Sequence, residues 1–167
     1  MKRMIAALTL TFAASTADAD CGPTPGPCEI PEGEYHLLLP PTAHSAPPVV
    51  MFLHGAGSSG AGTISNSGMT APLLARGYAV IAPTGGRAFR GRENANWVFF
   101  PGWEGRDEAD FLQQVVADAA SRFGTSPDRV LLAGFSAGAF MVNYLACDAP
   151  DSFAAYAPVS GGFWRPH

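Results

Sequence analysis

The sequence predicts an α/β fold, a mostly parallel sheet with helices on both faces. Three observations carry this expectation. "VVMFLH" (49–54), "YAVIAP" (78–83) and "DRVLLAGF" (128–135) are short, continuous apolar runs of the kind that strands buried on both faces require. Between the last two, Phe111, Leu112, Val115, Val116, Ala119 and Phe123 recur at helical spacing over 107–123. The third run enters a further helix-like stretch through "GFSAG" (134–138). Buried strands alternating with helices form a parallel sheet with crossover connections.

The elements follow in chain order. Lys2 and Arg3, the apolar stretch 4–14 and Ala17-Asp18-Ala19 have the layout of a cleavable export signal over residues 1–19, too short to span a bilayer. The expected product is secreted, extracellular or periplasmic. In an oxidising compartment cysteines tend to pair. Cys21 and Cys28 bracket the turn-rich "GPTPGP", so a disulfide is expected within an N-terminal segment 20–32, and Cys147 is left over. "EYHLLLP" (34–40) is a strand ended by Pro40 and Pro41. "GAGSSGAGTISNSG" (55–68) is too rich in Gly and Ser for regular structure and is expected to be a loop. A short helix follows over 69–76, stopped by Gly77. Residues 84–105 form a long irregular segment. The helix 107–123 carries Asp107, Glu108 and Asp110 at its start, where negative charge suits the helix dipole, and ends at Gly124. Residues 137–147 form the next helix and "FAAYAPVS" (153–160) a fourth strand.

The chemistry concentrates at Ser136. "GFSAG" places a serine on a sharp strand-to-helix turn, and Gly134 and Gly138 remove side chains that would meet the neighbouring strand and helix. The N-terminus of the following helix points at the place where an oxyanion would develop. The competing reading is a helix-capping serine. "FLHGAGSSG" follows the first central strand and supplies a glycine-rich loop. The amides of Ala56 and Ala137 are the expected oxyanion-hole donors. His54 precedes the serine, whereas the base of this architecture follows it, so a loop-organising role is expected.

Taken together, these residues resemble the α/β-hydrolase fold. More narrowly, "VVMFLHGAGSSG", "YAVIAPTG", "NWVFFPGW", "DEADFL", "PDRVLLAGFSAGAFMVNYLAC" and "FAAYAPVSGGFW" are similar to secreted polyhydroxybutyrate depolymerase-like and feruloyl or acetylxylan esterase-like enzymes. The resemblance runs from about residue 33 to residue 165. It implies Ser136 as nucleophile, Ala56 and Ala137 as oxyanion hole, and a carboxylic ester, polymeric or not, as substrate. The family order is Ser, Asp, His, and here the only acidic residues and histidine after Ser136 are Asp148, Asp151 and His167. The expectation is that residues 33–167 are the N-terminal part of the hydrolase domain, lacking the last strands, the triad acid and base, and a partner for Cys147.

Other signals are weaker. Arg87, Arg90 and Arg92 could meet a carboxylate-bearing substrate or lie on a solvated loop. Trp97, Phe99, Phe100 and Trp103 could line a pocket or anchor the loop. No His, Cys and Asp group has metal-ligand spacing, the loop 55–62 lacks the lysine of a P-loop, and no cofactor is expected. A formal charge of -4 with 47% apolar residues argues against nucleic acid and, after signal cleavage, against an anionic membrane as partner. A non-catalytic secreted fragment and a peptidase on the same fold are the rival functions.

Overall fold

The computed structural model describes residues 21, 26–42, 46–100 and 102–162. The expected export signal and His167 lie outside them. Six strands form one sheet in the order β1-β2-β4-β3-β7-β8. They are β1 (Cys28–Ile30), β2 (Gly33–Leu38), β3 (Val49–Leu53), β4 (Ala79–Pro83), β7 (Val130–Phe135) and β8 (Ala155–Val159). The hairpin β5 (Arg87–Phe89) and β6 (Arg92–Asn96) stands apart as a second, two-stranded sheet. The four strands β4, β3, β7 and β8 run parallel, and β1 and β2 add an antiparallel edge. The expected α/β sheet is therefore present, with the apolar runs 49–54, 78–83 and 128–135 at its centre.

The register explains the layering. Met51 pairs with Ile81 on one side and Leu132 on the other, so these side chains share a face with Tyr35 and Leu37. On that face lie α3 (Glu108–Phe123) and α4 (Ala137–Asp148). Phe111, Leu112 and Val115 of α3 and Met141, Val142 and Leu145 of α4 complete a core with these strand residues, nearly all of it excluded from water. The Tyr35 hydroxyl donates to Asp118 of α3 at 2.5 Å, tying sheet to helix. The opposite face carries Val50, Phe52, Val80 and Ala82. It is covered over β2, β4 and β3 by α1 (Gly60–Ile64) and α2 (Ser67–Leu74).

Two expectations are corrected. The stretch 55–68 is not all loop: Ser59 caps α1 by accepting from the Gly62 amide at 3.3 Å, which makes a short helix from a glycine-rich sequence. The segment 84–105 is not irregular throughout, because it contains the β5–β6 hairpin. Its turn uses Arg90 and Gly91 at positive φ, and the fold holds it through the Gly57 amide, which donates to Ala95 O at 2.8 Å. The expected disulfide joins Cys21 to Cys28, and both are buried in the core cluster. Cys147 is free and exposed. No helix among the described residues is long and apolar enough to cross a membrane.

Candidate active site

Ser136 sits between β7 and α4 with φ 51° and ψ −112°, a conformation costly for an L residue. Its neighbours at both sides of the turn leave no room for a Cβ. One at Gly134 would lie 2.6 Å from the backbone of Gly138, and one at Gly138 would collide with the carbonyl of Leu53 at the end of β3. The two glycines let strand, turn and helix close on one another. The backbone of Ser136 is committed: its amide donates to Val159 O at 3.0 Å, and its carbonyl accepts from Phe140 N at 3.1 Å. Its side chain makes no capping bond to α4. The capping role weighed from the sequence is not what the hydroxyl does here.

The glycine-rich loop lies beside this turn. Gly57 N donates to Ala95 O and Ser58 N donates to Gly55 O at 3.1 Å, while the amides of Ala56 and Ala137 have no acceptor among the described residues. His54 organises the loop. Gly85 N donates to His54 Nε2 at 3.0 Å, so Nε2 is the acceptor nitrogen and Nδ1 carries the proton. Nδ1 then donates to Gly55 O at 2.9 Å. The Trp97 indole N–H donates to His54 O at 2.9 Å, and the two rings lie 4.9 Å apart. Burial holds the imidazole below its ordinary pKa, partly opposed by the bond to Gly55. With its one lone pair occupied and its ring buried, His54 is in no position to take a proton from Ser136.

Two cavities flank the turn. One of about 590 Å³ is lined by Phe52, Ala56, Met69, Phe135 and Val159 among others, and Phe135 and Val159 are about half exposed. A second of about 360 Å³ is walled by Phe99, Phe100, Trp103 and Phe140, the last one turn into α4 from Ser136. Of the aromatic residues singled out from the sequence, Trp97 is therefore a core anchor, and the other three line a cavity. The three arginines divide as well: Arg87 lies 3.8 Å over the Trp103 ring, Arg90 lies 5.2 Å over Phe89, and Arg92 donates to Gly57 O. Asp148, the last residue of α4, is exposed about 18 Å along its axis from Ser136, and Asp151 is exposed in the short 3-10 turn that follows. Among the described residues no group of acidic, His and Cys side chains could hold a metal ion.

One residue near the site has a role that its place at a helix start does not show. Glu108 is 2% exposed, paired with Arg106 at 2.6 Å. Burial pushes its carboxyl up, against the pull of Arg106 and of the Gly86 and Val98 amides. The signal was present: Glu108, Phe111, Leu112 and Val115 follow the i, i+3, i+4, i+7 pattern of one buried helix face.

Known proteins resemble this arrangement. The poly(3-hydroxyalkanoate) depolymerase C of Paucimonas lemoignei is 33% identical over 71% of this chain and 28% of its own length. Feruloyl esterase B of Talaromyces stipitatus is 28% identical over 92% of this chain and 42% of its own. The acetyl xylan esterase of Aspergillus awamori superposes with a TM-score of 0.57 at 21% identity, covering 74% of this chain and 44% of that one. The chain thus spans between 28% and 42% of the length of these curated relatives. These names bear out the resemblance to depolymerase-like and esterase-like enzymes and the α/β-hydrolase fold. Residues 65–163 match the prolyl oligopeptidase family, and the chain belongs to that family.

Proposed function

We propose that this chain is the nucleophile-bearing part of a secreted serine hydrolase of carboxylic esters. Ser136 Oγ attacks the ester carbonyl and forms a C–O bond. The oxyanion of the tetrahedral intermediate accepts hydrogen bonds from the amides of Ala56 and Ala137. Collapse breaks the bond to the alcohol, which leaves with the serine proton, and water then hydrolyses the acyl-enzyme. The observation that carries this reading is Ser136 itself: a positive-φ residue with a committed backbone and a hydroxyl spent on no cap. The amides of Ala56 and Ala137, without an acceptor among the described residues, are what such a serine needs. The described residues place no histidine to relay the serine proton, and the chain spans 28% and 42% of the length of these relatives. Export is supported by the Cys21–Cys28 disulfide.

The relatives are named for polyhydroxyalkanoate and feruloyl esters, and a bond of that class is the proposed target. The family match keeps a peptidase reading alongside it. Hydrolysis of a p-nitrophenyl ester against a peptide p-nitroanilide separates the two, and the ester should win. The 167 residues alone should show only the roughly 10³- to 10⁴-fold acceleration over water that an oxyanion hole and binding provide. Ester turnover should vanish in Ser136→Ala. Turnover that survives this substitution defeats the reading.

A further inference from the structure

We propose that Glu108 is a positioning residue for the oxyanion loop, acting on Ala56 through His54 without touching the substrate. This rests on the reading of Ala56 as an oxyanion donor. Glu108 Oε1 accepts from two backbone amides of different segments, Gly86 N at 3.2 Å and Val98 N at 3.3 Å. Each of these residues is one step from a group that holds His54. Gly85, beside Gly86, donates its amide to the His54 ring, and Trp97, beside Val98, donates its indole N–H to the His54 carbonyl. His54 in turn fixes the carbonyl of Gly55, the residue before Ala56. Two arms leave one carboxylate and converge on one histidine at the root of the loop.

Arg106 locks the carboxylate in place. It meets Glu108 Oε2 through Nε at 3.2 Å and Nη2 at 2.6 Å, and also donates to Glu32 O at 2.7 Å and Thr84 O at 3.0 Å. Its guanidinium lies 3.4 Å over the Phe111 ring. Gly85 is therefore clamped on both sides, at Thr84 and at Gly86. A buried ion pair is a poor stabiliser compared with apolar residues of the same volume. What apolar residues cannot do is accept two amides from two segments at a fixed spacing. Loop placement accounts for the carboxylate where packing does not.

The test compares Glu108→Gln with the wild type. Two readouts are taken: ester kcat and KM, and the 15N signals of the His54 ring. A displaced oxyanion donor should cost about 10²-fold in kcat with KM within about twofold. The ring signals should move from one Nδ1–H tautomer to a mixture, and Glu108→Asp should recover part of both losses. Should Glu108→Gln not fold, Arg106→Met/Glu108→Met removes both charges together and cuts the same two arms, and the same losses are expected. Either readout unchanged in a folded variant overturns the proposal. Ser136→Ala is assayed in parallel. If turnover survives it, the nucleophile reading fails, and the His54 tautomer alone then decides for or against the Glu108 relay.

Discussion

Substituting Gly138 by Ala sets a methyl group against two backbone carbonyls that cannot rotate away. The added Cβ would collide with Leu53 O, lie 2.7 Å from the Leu53 carbonyl carbon and lie 2.8 Å from His54 O. Ordinary contact begins near 3.4 Å, and the collision with Leu53 O is the worst of the three, so α4 or β3 must move by about 1 Å. Overpacking typically costs about 1–3 kcal/mol. Both obstacles are main chain, one in a central strand and one at the root of the loop, so the upper end, about 3 kcal/mol, is expected. For a chain of this size that is a fall in Tm of about 6–12 °C. Gly162→Ala is the control, because a Cβ there meets nothing within 4 Å, and it should stay within about 0.5 kcal/mol of the wild type. Urea denaturation of the three proteins gives the comparison. Equal midpoints for Gly138→Ala and Gly162→Ala would refute the claim that close approach of α4 to β3 requires glycine.

Three further outcomes are expected. Ser136→Gly should release the strain of the positive-φ turn and raise stability by about 1–2 kcal/mol while removing ester turnover, and an unchanged Tm would count against stored strain. Burial holds His54 and His36 below 6.5, so the folded state binds fewer protons than the unfolded chain. The stability they contribute is complete well above 6.5 and is lost as pH falls through their folded values, so urea midpoints should drop as the pH is lowered below 6.5. His54→Gln should lose less over that interval, and an equal drop would exclude His54 as a source. Thiol counting on the denatured, unreduced chain should find one reactive group, Cys147. Reducing the Cys21–Cys28 loop, with its sequence separation of 7, should cost roughly 2–3 kcal/mol in a urea titration.

What could be read from the sequence follows from how strongly each feature is periodic. β3, β4 and β7 are buried on both faces of a parallel sheet, so they appear as unbroken apolar runs, and α3 announces itself by spacing. The turn at Ser136 was legible because the collision it avoids dictates glycine at fixed offsets. β1 was not, since three residues paired through their backbone to β2 leave no pattern. The β5–β6 hairpin is polar and takes its shape from contacts with the loop after β3, which are distant in sequence. Glu108 does lie in the acidic first turn of α3, as the sequence indicates, but composition at a helix start does not show burial. Its side chain instead follows the buried stripe of α3, and only the partners at Gly86 and Val98 show why.

The strain at Ser136 persists because relaxing it would undo more than it gains. A disfavoured backbone conformation costs about 1–3 kcal/mol. To leave it, the turn must release Ser136 N from Val159 O and Phe140 N from Ser136 O, two bonds worth about 1 kcal/mol each when their partners find water, and more if the groups stay buried. It must also separate Gly134 from Gly138, the contact on which α4 sits against β7. Both sides of β7 resist this movement, since it is paired at five positions to β3 and at five to β8. The strand that holds the serine in place is thus the most tightly paired in the sheet, and its exposed end, at Phe135, adjoins the half-buried Ser136. A rigid centre with an open rim is the arrangement that lets one residue remain strained at the edge of the sheet.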